Sequence, residues 1–413
     1  MNESRPILLT APWLIDGTGA PPVERGAVLV KNAHIAEVYR GTGPVPPGIE
    51  TISLDNCTLL PGLIDAHVHL CLPGDGTPFP DVVAEPAGVV QAIALRNAEV
   101  ALNAGITTLR DCGGFPAVLY ALRRALHLRY AAGPRLVLAG WPLTITGGHC
   151  HYFGGEADGP DGVRVKVRET IKGGADYIKA MGSGGGTPGT QSWRPSYSRE
   201  EVAALVDEAH RFGYRATIHC TCAEAIAYAV AAGVDEIQHA SFYGGPDASE
   251  SRDPAVADAL AASGIPACPT LSVGRFAHRA AVALENPEPL DRAAAERFER
   301  MAHNAVANGA DLHRRGVRFI AGSDAGWRHS PFDALHLEVE LLVAAGLSAM
   351  ESIHAATGAA AGALGLGGVT GTIRPGLAAD LIAVRGRPHE DIRTLRAVSV
   401  VMQNGVFVSP PRV

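Results

Sequence analysis

The chain has 413 residues, of which 47% are hydrophobic and 19% are charged, and its formal net charge is −7. This composition is typical of a globular protein that is long enough for a large core and a second small domain. The mild negative charge gives no support for binding to nucleic acids or anionic membranes, and no apolar run reaches the length of a membrane span.

The N-terminal residues carry no pattern for secretion. Their apolar stretch is broken by Pro12 and Asp16 and does not follow a basic region, so we predict no signal peptide. The seven cysteines are scattered along the chain, odd in number and without a C-x-x-C pair. This usage argues against a disulfide framework, and we expect a protein of the reducing cytoplasm.

Both ends of the chain are predicted to be rich in β-strands. Residues 27–31 and 34–38 have strand-like composition and flank Asn32 in a hairpin-like arrangement. Near the C-terminus, Asn404-Gly405 lies between two apolar runs, which is a strong hairpin signal. We therefore predict a small β-sandwich domain from residues 1–59 and 369–413, with a larger domain at 60–368 inserted between them.

The middle of the chain changes to apolar strand-length runs that alternate with alanine-rich helical stretches. The predicted strands are residues 63–68, 107–111, 135–139, 177–181, 216–219, 236–239, 266–271 and 318–322. The predicted helices include residues 89–104, 117–131, 163–172, 199–212, 223–232, 255–262 and 292–315. Eight such repeats in roughly 300 residues predict an α/β fold, a (β/α)8 TIM-like barrel.

The ends of the predicted barrel strands carry side chains that are typical of metal ligands. Alternation in an extended strand points His67 and His69 to one side, and neutral imidazole is a common metal ligand. A lone pair of this kind would more often be two ordinary strand-end histidines. The later strands carry Asp111, Lys179, His219, His239 and Asp324. Since TIM barrels place function at the C-terminal strand ends, we predict that the four histidines, the lysine and the last aspartate converge at one mouth.

These segments resemble the amidohydrolase superfamily along nearly the whole chain. PGLIDAHVHL is similar to its first-strand signature, IKAMGSGG to its lysine strand, TIHC and IQHA to its later histidine strands, and AGSDA to its eighth-strand aspartate. GTIRPGLAADLIAV also resembles its β-sandwich segment. The lysine and the glycine-rich loop are most similar to a binuclear subgroup of imidazolonepropionase-related peptidases, Xaa-Pro and Xaa-Arg dipeptidases and ochratoxinase-like amidases.

The resemblance implies two divalent metal ions, with zinc favoured and manganese, iron or cobalt left open. The implied ligands are His67, His69 and Asp324 for the more buried ion and His219 and His239 for the second. Lys179 would be carbamylated by CO2 and would bridge the two ions, which a free ammonium would repel. A hydroxide between the ions would be the nucleophile, and Asp324 would act as general base and then as general acid.

Each implied ligand also has an ordinary structural alternative. Lys179 could form a salt bridge at a strand end, which would leave a site for one metal ion. His219 could be a core histidine, and Asp324 could cap a helix. The matching positions of all six residues favour the metal site over these alternatives.

Two loops near the predicted mouth supply candidate substrate contacts. His149 and His151 lie in TGGHCHYFGG, where the glycines predict a mobile loop. His149 could bond the substrate carbonyl or its oxyanion, and an ordinary polar role in the loop is equally compatible. Arg194 and Tyr197 precede the helix predicted from residue 199, a region that resembles the carboxylate-binding part of the dipeptidases. Arg194 could form a bidentate pair with a carboxylate or an exposed salt bridge.

The sequence therefore predicts a metal-dependent hydrolase of an amide bond in a peptide or an N-acyl amino acid. Alternative substrates are a cyclic amide, a carbamate, a urea or a peptidic natural product that is trimmed in a biosynthetic pathway. Lys179 and the lack of an acidic residue near the histidine strands disfavour a deaminase, and the complete ligand set disfavours a non-catalytic binding barrel. We expect a small-molecule or peptide substrate, no nucleic-acid or membrane partner, and a homo-oligomer.

Overall fold

The computed structural model describes residues 5–41, 48–284 and 288–408, apart from the side chain of residue 290. The strands are β1 Ile7–Leu14, β2 Val23–Lys31, β3 His34–Arg40, β4 Glu50–Ser53, β5 Cys57–Pro61, β6 Leu63–Val68, β7 Ile106–Asp111, β8 Arg135–Leu138, β9 Pro142–Leu143, β10 Ile178–Met181, β11 Ala216–Cys220, β12 Glu236–His239, β13 Ala267–Cys268, β14 Leu381–Arg385, β15 Val398–Gln403 and β16 Val406–Phe407. The predicted small domain also includes residues 1–4, 42–47 and 409–413, which lie outside the described residues.

Twelve α-helices occur among the described residues. They are α1 Phe79–Ala84, α2 Ala87–Asn103, α3 Pro116–His127, α4 Gly159–Gly173, α5 Arg199–Arg211, α6 Ala223–Ala232, α7 Pro254–Ser263, α8 Val273–Val282, α9 Pro289–Arg314, α10 Leu335–Ala344, α11 Ala349–Ala355 and α12 Gly358–Ala363. None of these helices combines the length and the apolar character needed to cross a membrane.

Strands from both ends of the chain form one eight-stranded sheet. Its order is β16-β15-β14-β5-β1-β2-β3, and β4 pairs with β1. β5 runs parallel to β1 and antiparallel to β14, so it joins the C-terminal strands to the N-terminal strands. The predicted hairpins are confirmed, because Asn32 and Asn404 have positive φ angles of 57° and 48° between paired strands. A sandwich of two separate sheets stays a prediction.

The middle of the chain alternates parallel strands with helices, which confirms the α/β character of the predicted large domain. β6, β7 and β8 form one parallel sheet, and β9 to β13 form a second. Every residue of β6, β7, β10 and β11 is buried, as expected for parallel strands covered on both faces. Closure of these sheets into a barrel of eight strands stays a prediction.

The eighth predicted strand differs most from the structure. Residues 318–322 form an irregular segment, with one parallel bridge between Ala267 and Phe319. The segment is still bonded on two sides, since the Ile320 N–H donates to Ala267 O and the Ala66 N–H donates to Ala321 O, both at 3.0 Å. A regular ladder is interrupted because the side chain of Asp65 accepts the Ser323 N–H at 3.0 Å in place of a backbone carbonyl.

A helical hairpin formed by α8 and α9 follows β13. The sequence predicted the second of these helices but not α8. Gly274 of α8 lies so close to α9 that a Cβ atom there would be 2.7 Å from the Ala302 nitrogen. The hairpin therefore depends on a close approach of two backbones, and it forms part of the wall of the cleft described below.

Candidate metal centre and active-site cleft

Three predicted ligands lie together at the end of β6. The Nε2 atoms of His67 and His69 are each 3.4 Å from Oδ1 of Asp324. One ligand atom from each residue lies within 4.8 Å of the other two, and all three side chains are buried. This group of two imidazoles and a carboxylate has the composition and the spacing of a site for a divalent ion.

The other predicted ligands lie beside this group. The ring centroid of His239 is 5.0 Å from that of His67 and 4.5 Å from that of His219. The parallel register pairs Met181 with His219, which places Lys179 two residues deeper in the same sheet. The long lysine side chain can therefore extend from the sheet interior toward the imidazoles. The structure thus brings together all six residues that the sequence selected as ligands.

Several atoms of this cluster lack the partners that buried polar groups normally have. Lys179 Nζ, His67 Nδ1 and Asp324 Oδ1 are buried and have no hydrogen-bond partner among the described residues. Metal ions and a carbamate on the lysine would supply partners for these atoms. The residues present therefore fit a metal centre.

Outer contacts orient the histidine rings. The Nδ1–H of His69 donates to Gly113 O at 2.9 Å, and the Nε2–H of His219 donates to Gly184 O at 3.0 Å. His239 Nδ1 bonds Thr270 Oγ1 at 2.7 Å. Each bond uses one ring nitrogen and leaves the other for a metal ion, as in many protein metal sites.

Burial sets the protonation of the cluster. It lowers the pKa of His69 to about 4, and it lowers the pKa values of His219 and His239 well below their usual range. The rings are therefore neutral near pH 7, the form that binds metals. Burial raises the pKa of Asp324 to about 7, and burial lowers the pKa of Lys179.

Asp65 is a functional residue that the sequence analysis missed. Its Oδ1 accepts the N–H groups of His67 at 3.1 Å and Ser323 at 3.0 Å, and its Oδ2 accepts the Ser323 hydroxyl. It therefore joins the strand of the first ligands to the segment that carries Asp324. The signal was present in the sequence, since alternation places Asp65 on the same face as His67 and His69.

Asp111 supports the backbone near the metal centre. Its Oδ2 accepts the Leu70 N–H at 2.7 Å, and its Oδ1 accepts the Gly113 N–H at 2.9 Å. The same Gly113 carbonyl accepts the proton of His69. Asp111 thus holds the loop that orients a ligand.

A buried ion pair beneath the centre was also missed. Arg110 donates two hydrogen bonds of 2.5 Å to Glu236, and its Nε donates to Ala66 O at 2.7 Å. These bonds connect β7, β12 and β6 across the parallel sheets. Arg110 precedes the last residue of β7 and Glu236 is the first residue of β12, so neither lies at the C-terminal strand end where ligands were expected.

The two candidate histidines after β9 differ in position. His149 is buried, and its ring centroid lies 4.8 Å from that of His219. His149 lines the cleft over the cluster, together with Tyr152, whereas His151 is half-buried and is not among the lining residues. The glycine-rich loop leaves space for this arrangement, because a Cβ on Gly185 would be 2.5 Å from the His149 ring.

Arg194 and Tyr197 are not among the residues that line the cleft. Ser196 N donates to Gly182 O at 2.8 Å, which turns the chain back along β10. The side chain of Arg194 is consequently exposed, and Tyr197 is 1% exposed within the hydrophobic core. The geometry therefore gives no support to their predicted contact with the substrate.

The cleft over the cluster has an open volume of about 890 Å3, including solvent at its mouth. Much of its wall is apolar or aromatic, and the residues of this kind include Leu72, Tyr152, Tyr243, Met301 and Trp327. Arg297 of α9 adds a positive charge to the wall. Such a cleft is suited to a ligand with a bulky apolar part and a few polar groups.

Comparison with known proteins supports these observations. The model of the amidohydrolase family matches residues 58–408, a range that contains all six clustered residues. Ochratoxinase of Aspergillus niger is 27% identical over 450 residues, covering 99% of this chain and 88% of that protein. Imidazolonepropionase of Mesorhizobium japonicum is 27% identical over 411 residues, covering 89% of this chain and 88% of that protein. A solved Xaa-Pro dipeptidase with methionine bound in its active site has 29% identity and a TM-score of 0.86, covering 98% of this chain and 100% of that chain.

Proposed function

This chain belongs to the amidohydrolase family and is a hydrolase, and from that premise we propose that it is a binuclear metal enzyme that cleaves the amide bond of a peptide or an N-acyl amino acid. The observation that carries this proposal is the buried cluster of His67, His69, His219, His239, Lys179 and Asp324. A cluster of neutral imidazoles around an unpartnered lysine has no evident use in folding, since each buried polar group costs free energy.

In this proposal, His67, His69 and Asp324 hold one ion, and His219 and His239 hold the other. Lys179 would supply carbamate oxygens as further ligands, and this carbamate would form when the neutral amine attacks the carbon of CO2 and releases a proton. Burial supports this step because it lowers the pKa of Lys179 and so favours the neutral amine. When bound, the ions would polarise the scissile carbonyl and lower the pKa of the attacking water.

Asp324 is the proposed proton carrier. Burial raises the pKa of its carboxyl to about 7, and the charge of Lys179 opposes this rise. Its carboxyl also lines the cleft beside the ring nitrogens of His67 and His69, where it can accept a proton from water and later donate it to the leaving amine.

His149 is the proposed donor to the carbonyl oxygen. Thr187 Oγ1 accepts the Cys150 N–H at 3.0 Å, so its hydroxyl proton is available to His149 Nδ1 at 2.8 Å. When Thr187 donates this proton, the ring proton of His149 lies on Nε2. Burial lowers the pKa of His149 to about 3, so the ring stays neutral and can donate to the negative charge that develops on the oxygen.

The relatives and the cleft favour a substrate that contains an amino acid. The similar dipeptidase holds methionine in its active site, and the cleft wall of this chain is largely apolar and aromatic. A cyclic amide is the second candidate, because imidazolonepropionase is also similar to this chain. We further propose a cytoplasmic location, which the seven free, buried cysteines support. A homo-oligomer stays a prediction that sedimentation would test.

The decisive experiment combines metal analysis with a substrate screen. Protein loaded with zinc, manganese or cobalt in bicarbonate buffer is assayed on dipeptides and N-acyl amino acids by detection of the released amine. We expect two ions per chain and turnover that a chelator abolishes. Asp324→Asn should reduce kcat by about 100-fold to 10,000-fold, the range for loss of a proton carrier. Absence of amine release from every compound by the two-metal protein would contradict this substrate class and favour the cyclic amide.

A further inference from the structure

One wall of the cleft carries Arg297, an arginine with no acidic partner among the described residues. Arg297 of α9 lines the cleft that contains the clustered ligands. Its Nε donates to Pro246 O at 3.0 Å, and it forms no ion pair within the described residues. A guanidinium has five N–H donors, so this tether leaves most of them available to another group.

A second unpaired arginine lies near the first. Arg328 stacks on Trp327 and Phe298, with its guanidinium carbon 4.8 Å and 5.5 Å from the two ring centroids. Its Nε has no hydrogen-bond partner in the described part of the chain, where it also forms no ion pair. Burial and then the charge of Arg297 lower the pKa of Arg328. Two cations this close together repel each other, and a bound anion would relieve the repulsion.

Among the described residues, none supplies a free anion for this wall. Asp324 is the one acidic residue among the described residues that line the cleft, and it is a proposed metal ligand. The neighbours of Arg297 along the wall, Tyr243 and Met301, are uncharged. The half-buried Arg297 therefore faces the cleft with no competing carboxylate beside it among these lining residues, and a guanidinium attracts a carboxylate of a bound ligand.

We propose that Arg297 binds a carboxylate of the substrate and that Arg328 strengthens the positive potential behind it. This inference rests on the proposed function and deepens it. The substrate presents a free carboxylate next to the amide, in addition to a bulky apolar group. A guanidinium suits this task because its planar fork can donate two parallel hydrogen bonds to one carboxylate. Arg297 then takes the role that the sequence analysis assigned to Arg194, which lies outside the cleft.

The test compares two probes that differ only in this charge. N-acetyl-L-phenylalanine and N-acetyl-L-phenylalaninamide are titrated by calorimetry into metal-loaded protein and into chelator-treated protein. We expect the wild-type chain to bind the acid about 10-fold to 100-fold more tightly than the amide, as for hydrogen bonds to a charged group. Arg297→Met should abolish this preference in both forms of the protein, and Arg297→Lys should restore part of it.

Arg300 provides a matched control on the same helix. Its Nε donates to Asp247 O at 3.3 Å, so it tethers the same loop as Arg297, but its side chain is exposed and does not line the cleft. Arg300→Met should keep the preference for the acid. Equal loss in both variants would mean that the loop tether is responsible and would overturn the proposal.

Two further outcomes separate this inference from the proposed hydrolysis. A preference for the acid that survives Arg297→Met, or no binding of the acid to the wild-type chain, would refute the carboxylate site even if amides are cleaved. Loss of the preference in Arg297→Met alone, together with no amine release from any amide, would support the carboxylate site and contradict the proposed cleavage of a peptide or N-acyl amino acid.

Discussion

Lys179 is the residue on which the proposed centre depends most directly. Its amine is fully buried, it lacks a partner among the described residues, and it lies close to several neutral imidazoles. A free ammonium would repel divalent ions at this position, whereas a carbamate would add a negative charge and two oxygen ligands. Whether Lys179 is an ammonium or a carbamate therefore decides whether two ions can bind.

We predict that Lys179→Ala loses metal and activity together. The variant should bind no more than one ion per chain and should release amine more than about 100-fold more slowly, because a ligand to both ions is missing. Short carboxylic acids such as acetate should restore part of the activity by occupying the vacated space. Metal content and amine release are measured on the same preparations.

The exposed Lys172 of α4 provides the matched control for this prediction. Lys172→Ala removes the same side chain from the surface and should leave both measurements unchanged. A Lys179→Ala protein with two ions and full activity would rule out the carbamate.

At the scale of elements, the sequence predicts the helices and strands that are defined by local patterns of residues. Helix α6 and strand β12 have the predicted bounds, because regular periodicity and a terminal glycine define them. Strand alternation predicted His67 and His69, whereas the other ligands were selected by their places at predicted strand ends and by the resemblance to the amidohydrolase superfamily. Helix α8 and the irregular segment at 318–322 were not predictable. They depend on contacts with distant residues, such as the close approach at Gly274 and the bonds from Asp65.

Glu338 of α10 also stabilises a part of the fold that is distant from it in the sequence, the connection between β13 and α8. Its buried carboxylate accepts the N–H groups of Leu271 and Ser272, both at 2.8 Å. These residues follow Thr270, which orients His239 and has a positive φ of 49°. Glu338 thus holds the strained connection between β13 and α8 near the metal centre.

This carboxyl should make stability depend on pH. Burial raises the pKa of Glu338 to about 7 from 4.5, so the folded chain holds a proton that the unfolded chain releases. The stabilisation from this proton is complete below pH 4.5 and is lost as the pH rises to about 7. Relative to Glu338→Gln, the wild-type chain should lose roughly 3 kcal/mol of unfolding free energy between pH 5 and pH 8. Urea unfolding of both chains at the two pH values measures this difference.

Glu340 lies on the same helix and serves as the control. Glu340→Gln should follow the wild-type chain across this pH range. A constant difference in stability between the wild-type chain and Glu338→Gln would show that the carboxyl is ionised in the folded chain at both pH values.

At the scale of the whole molecule, Asp380 links the terminal sheet to the parallel sheets. Its fully buried carboxylate accepts from Arg135 of β8 at 2.6 Å, from the Thr370 hydroxyl at 2.9 Å and from the Asn404 N–H at 2.8 Å. One side chain therefore joins three parts of the fold. They are strand β8, the connection that contains Thr370 and the C-terminal hairpin at Asn404. No local pattern in the sequence indicates this role, because the partners of Asp380 are distant along the chain.

We predict that Asp380→Ala weakens the whole fold without changing the metal centre. Removal of the carboxylate leaves Arg135 and the Asn404 N–H without this acceptor, and breaking a buried pair in this way costs about 3 to 5 kcal/mol. Because the Arg135 side chain is partly exposed, water can solvate it after the substitution, and we expect a loss of unfolding free energy near about 3 kcal/mol. Metal content and kcat measured well below the melting temperature should match the wild-type chain, because Asp380 contacts none of the clustered ligands. Glu390→Ala removes an exposed partner of Arg387 and should leave unfolding nearly unchanged. A loss of bound metal in Asp380→Ala at temperatures where the chain stays folded would instead mean that the terminal sheet helps to shape the metal centre.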